Sequence, residues 1–208
     1  MKINEIFLSI DGEVNSFGGQ GIWSTFIRFQ GCNLNCSYCD TLQAQNPAKG
    51  YEMSIDEIVR QADNIGCRKV TITGGEPFFQ SEDLYHLEEE LINRRYKISI
   101  ETNGSYHLWG CKSPVIMDYK LPSSGQEDKM DLSNFFVLRS IDYIKFVIGS
   151  KEDYDRAREI LSRAAKAKLA FSPDLNILSA NTLMDWMKKD KLFNVQLNVQ
   201  LHKLMQVK

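Results

Sequence analysis

Three of the five cysteines in this 208-residue chain fall within eight residues, in Gly31-Cys32-Asn33-Leu34-Asn35-Cys36-Ser37-Tyr38-Cys39-Asp40. Thiolates at CX3CX2C spacing on one loop can hold three corners of a [4Fe–4S] cubane and leave the fourth iron without a protein ligand. That iron can bind something else. A zinc site would want a fourth Cys or His at ordinary spacing, whereas Cys67, Cys111 and the three His lie elsewhere in the chain. A thioredoxin-like pair at Cys36 and Cys39 would leave Cys32 without a role. Thiols used as ligands rather than as disulfides suit a reducing compartment, so the sequence reads as cytoplasmic.

The elements that must position this loop alternate between strand and helix patterns. Ser24-Thr-Phe-Ile-Arg-Phe29 is β-branched and aromatic and runs straight into the Cys loop. Ser54-Ile-Asp-Glu57 is a capping box that opens a helix to about Asn64, and Lys69-Val-Thr-Ile-Thr73 is the next strand. A helix over Glu82–Arg95 has Ser81 as its N-cap candidate and is followed by strands over Lys97–Glu101 and Val115–Asp118. Beyond these lie a strand over Asp142–Ile148, a helix from Lys151 to about Lys166, a strand over Lys168–Ser172, a helix over Thr182–Lys189 and a strand over Asn194–Leu201. Strands alternating with helices of this length imply βαβ units and a parallel α/β sheet. The length suits one domain over residues 1–208 but is marginal for eight βα units, which typically need about 250 residues. The expected fold is therefore a partial, open (β/α) barrel of about six parallel strands.

Composition removes several alternatives. At 43% hydrophobic and 25% charged residues the chain is neither disordered nor collagen-like nor a coiled coil. A formal net charge of −2 gives no basic surplus for nucleic acid. Apolar runs are broken too soon to span a membrane, and Glu5 interrupts any signal-peptide core.

On those strands the chemistry-bearing segments share one rim. The Cys loop follows strand 24–29, Gly74-Gly75 follows strand 69–73, Glu101 to Gly104 ends strand 97–101, and Asp118-Tyr119-Lys120 ends strand 115–118. Parallel α/β sheets place their sites at these carboxyl ends. Arg28 is a cation in an otherwise apolar strand, a costly placement unless a carboxylate meets it, and its fork suits a bidentate contact. An internal salt bridge would serve equally. Cys67 and Cys111 read as packed thiols, and Glu88-Glu89-Glu90 as a solvated helix face.

The Cys loop, with an aromatic residue before its last Cys, resembles the cluster loop of the radical S-adenosylmethionine (radical SAM) superfamily. Gly74-Gly75-Glu76-Pro77 resembles that superfamily's GGEP segment, which receives the methionyl amino group of SAM, and Glu101-Thr102-Asn103-Gly104 resembles its ET(N/S)G segment. Ile10-Asp11-Gly12-Glu13, Ile27-Arg28-Phe29-Gln30-Gly31-Cys32, Cys39-Asp40-Thr41 and Gln200-Leu201-His202-Lys203 resemble, over nearly the whole chain, the 7-carboxy-7-deazaguanine synthases of queuosine and deazapurine biosynthesis.

The resemblance implies a radical SAM lyase. SAM bound to the open iron is cleaved to a 5′-deoxyadenosyl radical that takes hydrogen from 6-carboxy-5,6,7,8-tetrahydropterin, whose ring contracts with loss of ammonia to 7-carboxy-7-deazaguanine. It implies cluster ligation by Cys32, Cys36 and Cys39, and SAM contacts from Tyr38, Cys39, Asp40, Gly75, Glu101, Asp118, Tyr119 and Lys120. Pterin contacts fall on Ile10, Asp11, Gly12, Arg28 and Thr73, and Thr41 matches the Mg2+ ligand. His202 could approach the pterin. It also implies an electron donor such as flavodoxin, with a homodimer left open. The family usually reads Q-G-E-G where this chain has Asp11-Gly12-Glu13-Val14, so residue 11 is expected to act through its backbone, and S-P-K where it has Asp118-Tyr119-Lys120. A glycyl-radical activating enzyme shares the Cys spacing but acts on a protein, and a non-enzymatic zinc module is the rival of another class.

Replacing Cys32, Cys36 or Cys39 with Ala should abolish the visible absorbance of the cluster and SAM cleavage together, while Cys67→Ala and Cys111→Ala should retain both. Cluster loss in either of the latter variants would mean that the ligands are misassigned.

Overall fold

The computed structural model describes residues 1–163 and 166–207. In chain order the elements are β1 (Lys2–Ile10), β2 (Trp23–Phe29), β3 (Tyr51–Glu52), α1 (Ile55–Ile65), β4 (Lys69–Gly74), α2 (Ser81–Asn93), β5 (Lys97–Thr102) and β6 (Val115–Tyr119). After them come α3 (Asn134–Val137), β7 (Tyr143–Ile148), α4 (Lys151–Leu161), β8 (Lys168–Pro173), α5 (Ala180–Lys189), β9 (Val195–Leu197) and α6 (Leu201–Met205). Among the described residues, no helix is long and apolar enough to cross a membrane.

Local chemistry accounts for the boundaries. Ser54 and Ser150 each accept from the third residue of their helix while Glu57 and Asp153 reach back to the cap, so α1 and α4 both open on capping boxes. Gly66 closes α1 in the left-handed conformation.

All strands join one sheet in the order β3-β1-β2-β4-β5-β6-β7-β8-β9. From β2 to β9 every pairing is parallel, which makes seven parallel strands among the described residues. β1 and β3 add an antiparallel margin. With β3 at one end of the order and β9 at the other, the barrel is open, as expected.

The two faces of the sheet differ sharply. One face packs Ile27, Phe29, Val70, Ile72, Ile98, Ile100, Met117 and Phe146 against Ile58, Leu84, Leu87, Tyr154 and Leu183 of the helices. Residues one position away, including Arg28, Lys69, Thr71, Thr73, Ser99, Glu101, Asp118 and Lys145, face the barrel interior, as strand alternation requires. Apolar groups on this side include the small buried cluster Val14, Ile116, Tyr143 and Ala170 and the stacked rings of Phe7 and Phe26.

Five sequence expectations need correction. β1 escaped notice because its run KINEIFLSI mixes burial on both faces beside an edge, so no clean alternation marks it. α2 starts at Ser81 itself, after a 3-10 turn over Pro77–Gln80, with Gln80 in the cap position. The last strand stops at Leu197, because Asn198 turns inward to bond Glu13 and Ser172, and Leu201 opens α6. Glu88 is buried rather than solvated: its carboxylate accepts from the backbone N–H groups of Lys112 and Ser113, at 3.0 and 2.6 Å, and so anchors the β5–β6 connection. Helix α4 ends at Leu161, and residues 164 and 165 of the expected helix lie outside the described residues.

At the amino end of the barrel Lys69 Nζ lies 2.5 Å from Asp11 Oδ2 and also bonds Thr71, Ser24 and Ser99. Removing one partner of such a buried pair leaves a charge without compensation. Lys69→Met should therefore destabilise the protein by about 3–5 kcal/mol in denaturant unfolding, and adding Asp11→Asn should restore much of the loss. Equal stability of Lys69→Met and wild type would show that the pair is dispensable.

Candidate active site

At the carboxyl ends of the parallel strands lies a cavity of about 490 Å3. Its lining includes Cys32, Cys36 and Cys39, all partly buried and all free thiols. Backbone bonds hold the loop in place: Gly31 and Cys32 donate to the carbonyls of Ala44 and Gln45 at 2.7 and 3.0 Å, and Ser37 donates to Ser124 at 3.1 Å. The Gly-Gly turn packs directly beneath. A Cβ on Gly75 would overlap the carbonyl oxygens of Gly31 and Ala44, so only glycine lets the turn approach the Cys loop this closely.

Glu76 ties the turn to the next segment. Its carboxylate accepts from Phe78 N (3.0 Å), Thr102 Oγ1 (2.8 Å) and Asn103 N (2.7 Å), welding the ends of β4 and β5 together. Burial raises its pKa to about 7 against the pull of those donors.

The Cys loop has features that suit a cluster site. Burial raises the pKa of Cys32 and Cys36, against backbone donation from Leu34 and the charge of Lys120 respectively, so the thiols need a metal's charge to ionise. Tyr38, beneath the ammonium of Lys120 at 5.7 Å, keeps a buried hydroxyl with no hydrogen-bond partner among the described residues. Three thiols and an unsatisfied polar group facing one cavity fit a cluster carrying a polar ligand.

The interior wall is built from paired charges. Lys145 Nζ lies 3.1 Å from Glu13 Oε2 and 3.2 Å from Asp118 Oδ2, and Lys120 Nζ lies 3.3 Å from Asp118 Oδ1. Burial would lower the pKa of Lys145, but Asp118, Glu13 and Glu101 raise it well above the usual lysine value. Asp40 at the rim pairs with Lys203 at 3.1 Å and accepts from the Thr41 hydroxyl at 2.9 Å. Partial burial pushes its pKa up, yet Lys203 and Thr41 hold it down at about 2.

Arg28 faces the cavity with its Nε 3.1 Å from Glu5 Oε1 and its guanidinium 5.6 Å from the Phe7 ring. Both sequence readings of this residue are thus present, an internal salt bridge and a cation turned to the site. Ile10 pairs with Trp23 at the amino end of β2, so the segment after it enters the barrel from the opposite end to the Cys loop. The C-terminal segment locks it there: Gln200 and Asn198 donate to Glu13 at 2.6 and 2.7 Å, Val14 N donates to Asn198, and His202 covers Gly12 so closely that a Cβ there would overlap its ring.

Of the residues singled out in the sequence, Ile10, Gly12, Arg28, the three Cys, Tyr38, Asp40, Thr41, Thr73, Gly75, Glu101, Asp118 and Lys120 line the cavity. Asp11 and Tyr119 do not. The Asp11 side chain turns away to Lys69, and Tyr119 falls on the helix-facing side of β6, in tilted ring contact with Phe135 and Phe146. Sequence reasoning missed Glu13, Lys145, Asp174 and Gln200, which also line it. A signal existed for Lys145, a lone cation in Tyr-Ile-Lys-Phe-Val-Ile just as Arg28 is in its strand.

Comparison with known proteins adds a second line of observation. The signature of the Radical SAM superfamily matches residues 26–109. The 7-carboxy-7-deazaguanine synthase of Clostridium acetobutylicum is 38% identical, with 98% of this chain and 95% of that protein covered. That of Leptospira interrogans is 34% identical, covering 97% and 94%. Among solved structures, QueE from Escherichia coli superposes with a TM-score of 0.75 at 25% identity, covering 96% of this chain and 93% of that one.

The wall also carries a pH dependence. Burial and the neighbouring Asp11 and Glu13 carboxylates raise Glu101 from 4.5 to about 7, opposed by Lys145 and a hydrogen bond from Thr73. An acid whose folded-state pKa is raised stabilises the fold below its unfolded pKa and loses that contribution as pH climbs through the folded value. The Tm should therefore fall between about pH 4.5 and 7, and Glu101→Gln should flatten that part of the profile. A profile unchanged by the substitution would show that Glu101 ionises normally.

Proposed function

The chain belongs to the 7-carboxy-7-deazaguanine synthases of the radical SAM superfamily, and from that membership we propose how its residues carry the reaction. It is a radical SAM lyase that converts 6-carboxy-5,6,7,8-tetrahydropterin to 7-carboxy-7-deazaguanine with loss of ammonia. The observation that carries the residue assignment is the sharing of one cavity by the three thiols and Arg28. A space of about 490 Å3 lies within the usual range for small organic ligands, which speaks against a protein substrate and so against the activating-enzyme reading.

Cys32, Cys36 and Cys39 hold the [4Fe–4S] cluster, which with SAM supplies a radical able to take hydrogen from the pterin. The chain's own work is placement and exclusion of water. Gly75 gives SAM close access to the turn, and Tyr38, Asp40, Glu101, Asp118 and Lys120 present polar groups to it from three sides. Arg28 takes the substrate carboxylate. Its planar fork already rests on Phe7 and Glu5, so the cation is held in one orientation before the substrate arrives. Ile10 and Gly12 with Thr73 bound the pterin from the barrel interior. Asp11 is committed elsewhere: its carboxylate holds Lys69, and its backbone N–H and carbonyl pair with Ile22 and Gly21.

Mg2+ fits at Thr41 only with help. The hydroxyl and the adjacent Asp40 carboxylate are hard oxygen donors, and the remaining positions of an octahedral shell fall to substrate oxygens and water. An outside one-electron donor such as flavodoxin and cytoplasmic residence complete the reading.

The decisive experiment is anaerobic reconstitution followed by SAM, reductant and carboxytetrahydropterin, with the product identified by mass. Arg28→Ala should lower pterin turnover about 30-fold or more, since truncating one partner of a buried charge pair costs about 2–5 kcal/mol. Cluster assembly and slow uncoupled SAM cleavage should survive, and Arg28→Lys should recover only part of the turnover. Wild-type turnover in Arg28→Ala would sink the assignment.

A further inference from the structure

The hydrogen bonds to sulfur in the Cys loop both reach Cys32. One comes from the backbone, Leu34 N at 3.4 Å, and one from a side chain, Asn103 Nδ2 at 3.8 Å. Asn103 is buried at the end of β5 and lines the cavity beside the thiol.

Every polar atom of this amide is accounted for. Its oxygen accepts from Ser105 N at 2.9 Å and Ser105 Oγ at 2.6 Å, which forces the nitrogen to the opposite side. Of the two amide hydrogens, one is aimed at Cys32 Sγ and the other at Asn33 Oδ1, 3.3 Å away. The backbone beneath is fixed as well, because Asn103 N donates to Glu76 Oε2 at 2.7 Å and Thr102 Oγ1 to Oε1 at 2.8 Å. A side chain held at four points on a pinned backbone does not swing away from the sulfur.

We propose that Asn103 is a positioning residue that sets the reduction potential of the cluster, by donating a hydrogen bond to the Cys32 sulfur from an orientation imposed by Ser105 and Glu76. Adding an electron increases the negative charge on the cluster and its ligand sulfurs, so a fixed donor stabilises the reduced form more than the oxidised one and raises the potential. The effect is strong here because Asn103 is screened from water. The cluster must accept its electron before SAM can be cleaved, so the same contact governs how weak a reductant suffices. This inference rests on ligation of the cluster by Cys32.

The test is a redox titration, followed by electron paramagnetic resonance, of reconstituted protein without SAM or pterin, so that turnover plays no part. In Asn103→Ala with full iron and sulfide content, the ratio of reduced to oxidised cluster at fixed potential should fall about tenfold, a shift of 59 mV to more negative values for one electron. Ser105→Ala, which frees the amide without removing it, should shift in the same direction by less. Asn103→Asp, isosteric but without a donor, should shift at least as far as Asn103→Ala. A fully loaded Asn103→Ala protein titrating at the wild-type potential overturns the proposal. Should that variant fail to hold a cluster, Ser105→Ala decides in the same way, an unshifted potential again counting against it. Wild-type protein that assembles no cluster at all would instead remove the ligand assignment, and this proposal with it.

Discussion

A barrel interior with charges along its wall is stable only if each charge meets an opposite one, and Lys145 is where this condition is met for several elements at once. Its ammonium bridges Glu13 from the loop after β1 and Asp118 from β6, and Asp118 in turn holds Lys120. Isolated ions in such a place would cost several kcal/mol each, so the pairs oblige the loop, β6 and β7 to keep one mutual arrangement. That arrangement fixes the floor of the cavity on which the Cys loop and the Gly-Gly turn stand. Lys69 does the same at the lower end, joining Asp11 to β4 and β5.

The division of the sheet into an apolar outer face and a polar inner face explains how one short chain serves both stability and chemistry. Val70 and Ile72 pack with the helices while Thr71 and Thr73, their neighbours on β4, bond the interior network or line the cavity. A strand can do both because its side chains alternate. The outward set can be optimised for packing without touching the reactive side.

How much of this was legible depended on whether the signal was local. The Cys spacing, the Gly-Gly turn and the capping box of α1 are short-range patterns, and all appear where the sequence places them. Glu88 shows the opposite case: flanked by two other glutamates it looks solvated, and only the fold brings Lys112 and Ser113 N–H groups to its carboxylate. Tyr119 was misplaced because a segment named as a unit still alternates, and Asp118 and Lys120 reach the cavity while Tyr119 between them does not. Glu13, Asn198 and Gln200 were invisible as a group because nothing in a linear reading links residues so far apart.

That last group has a bearing on how the molecule comes into being. Glu13 and Val14 find their partners at Asn198 and Gln200, so segments separated by 184 to 187 positions meet across the site. A ribosome delivers the first of them long before the second exists, at about 5–20 residues per second. The outer shell of strands and helices can assemble from near neighbours as it emerges, but the loop carrying Glu13 cannot complete its contacts until Asn198 and Gln200 have been made. Long-range closures of this kind are slow steps in folding. The cavity is thus closed later than the strands and helices that precede residues 198–200, and a nascent chain has most of its scaffold before it has a complete chamber in which to run radical chemistry.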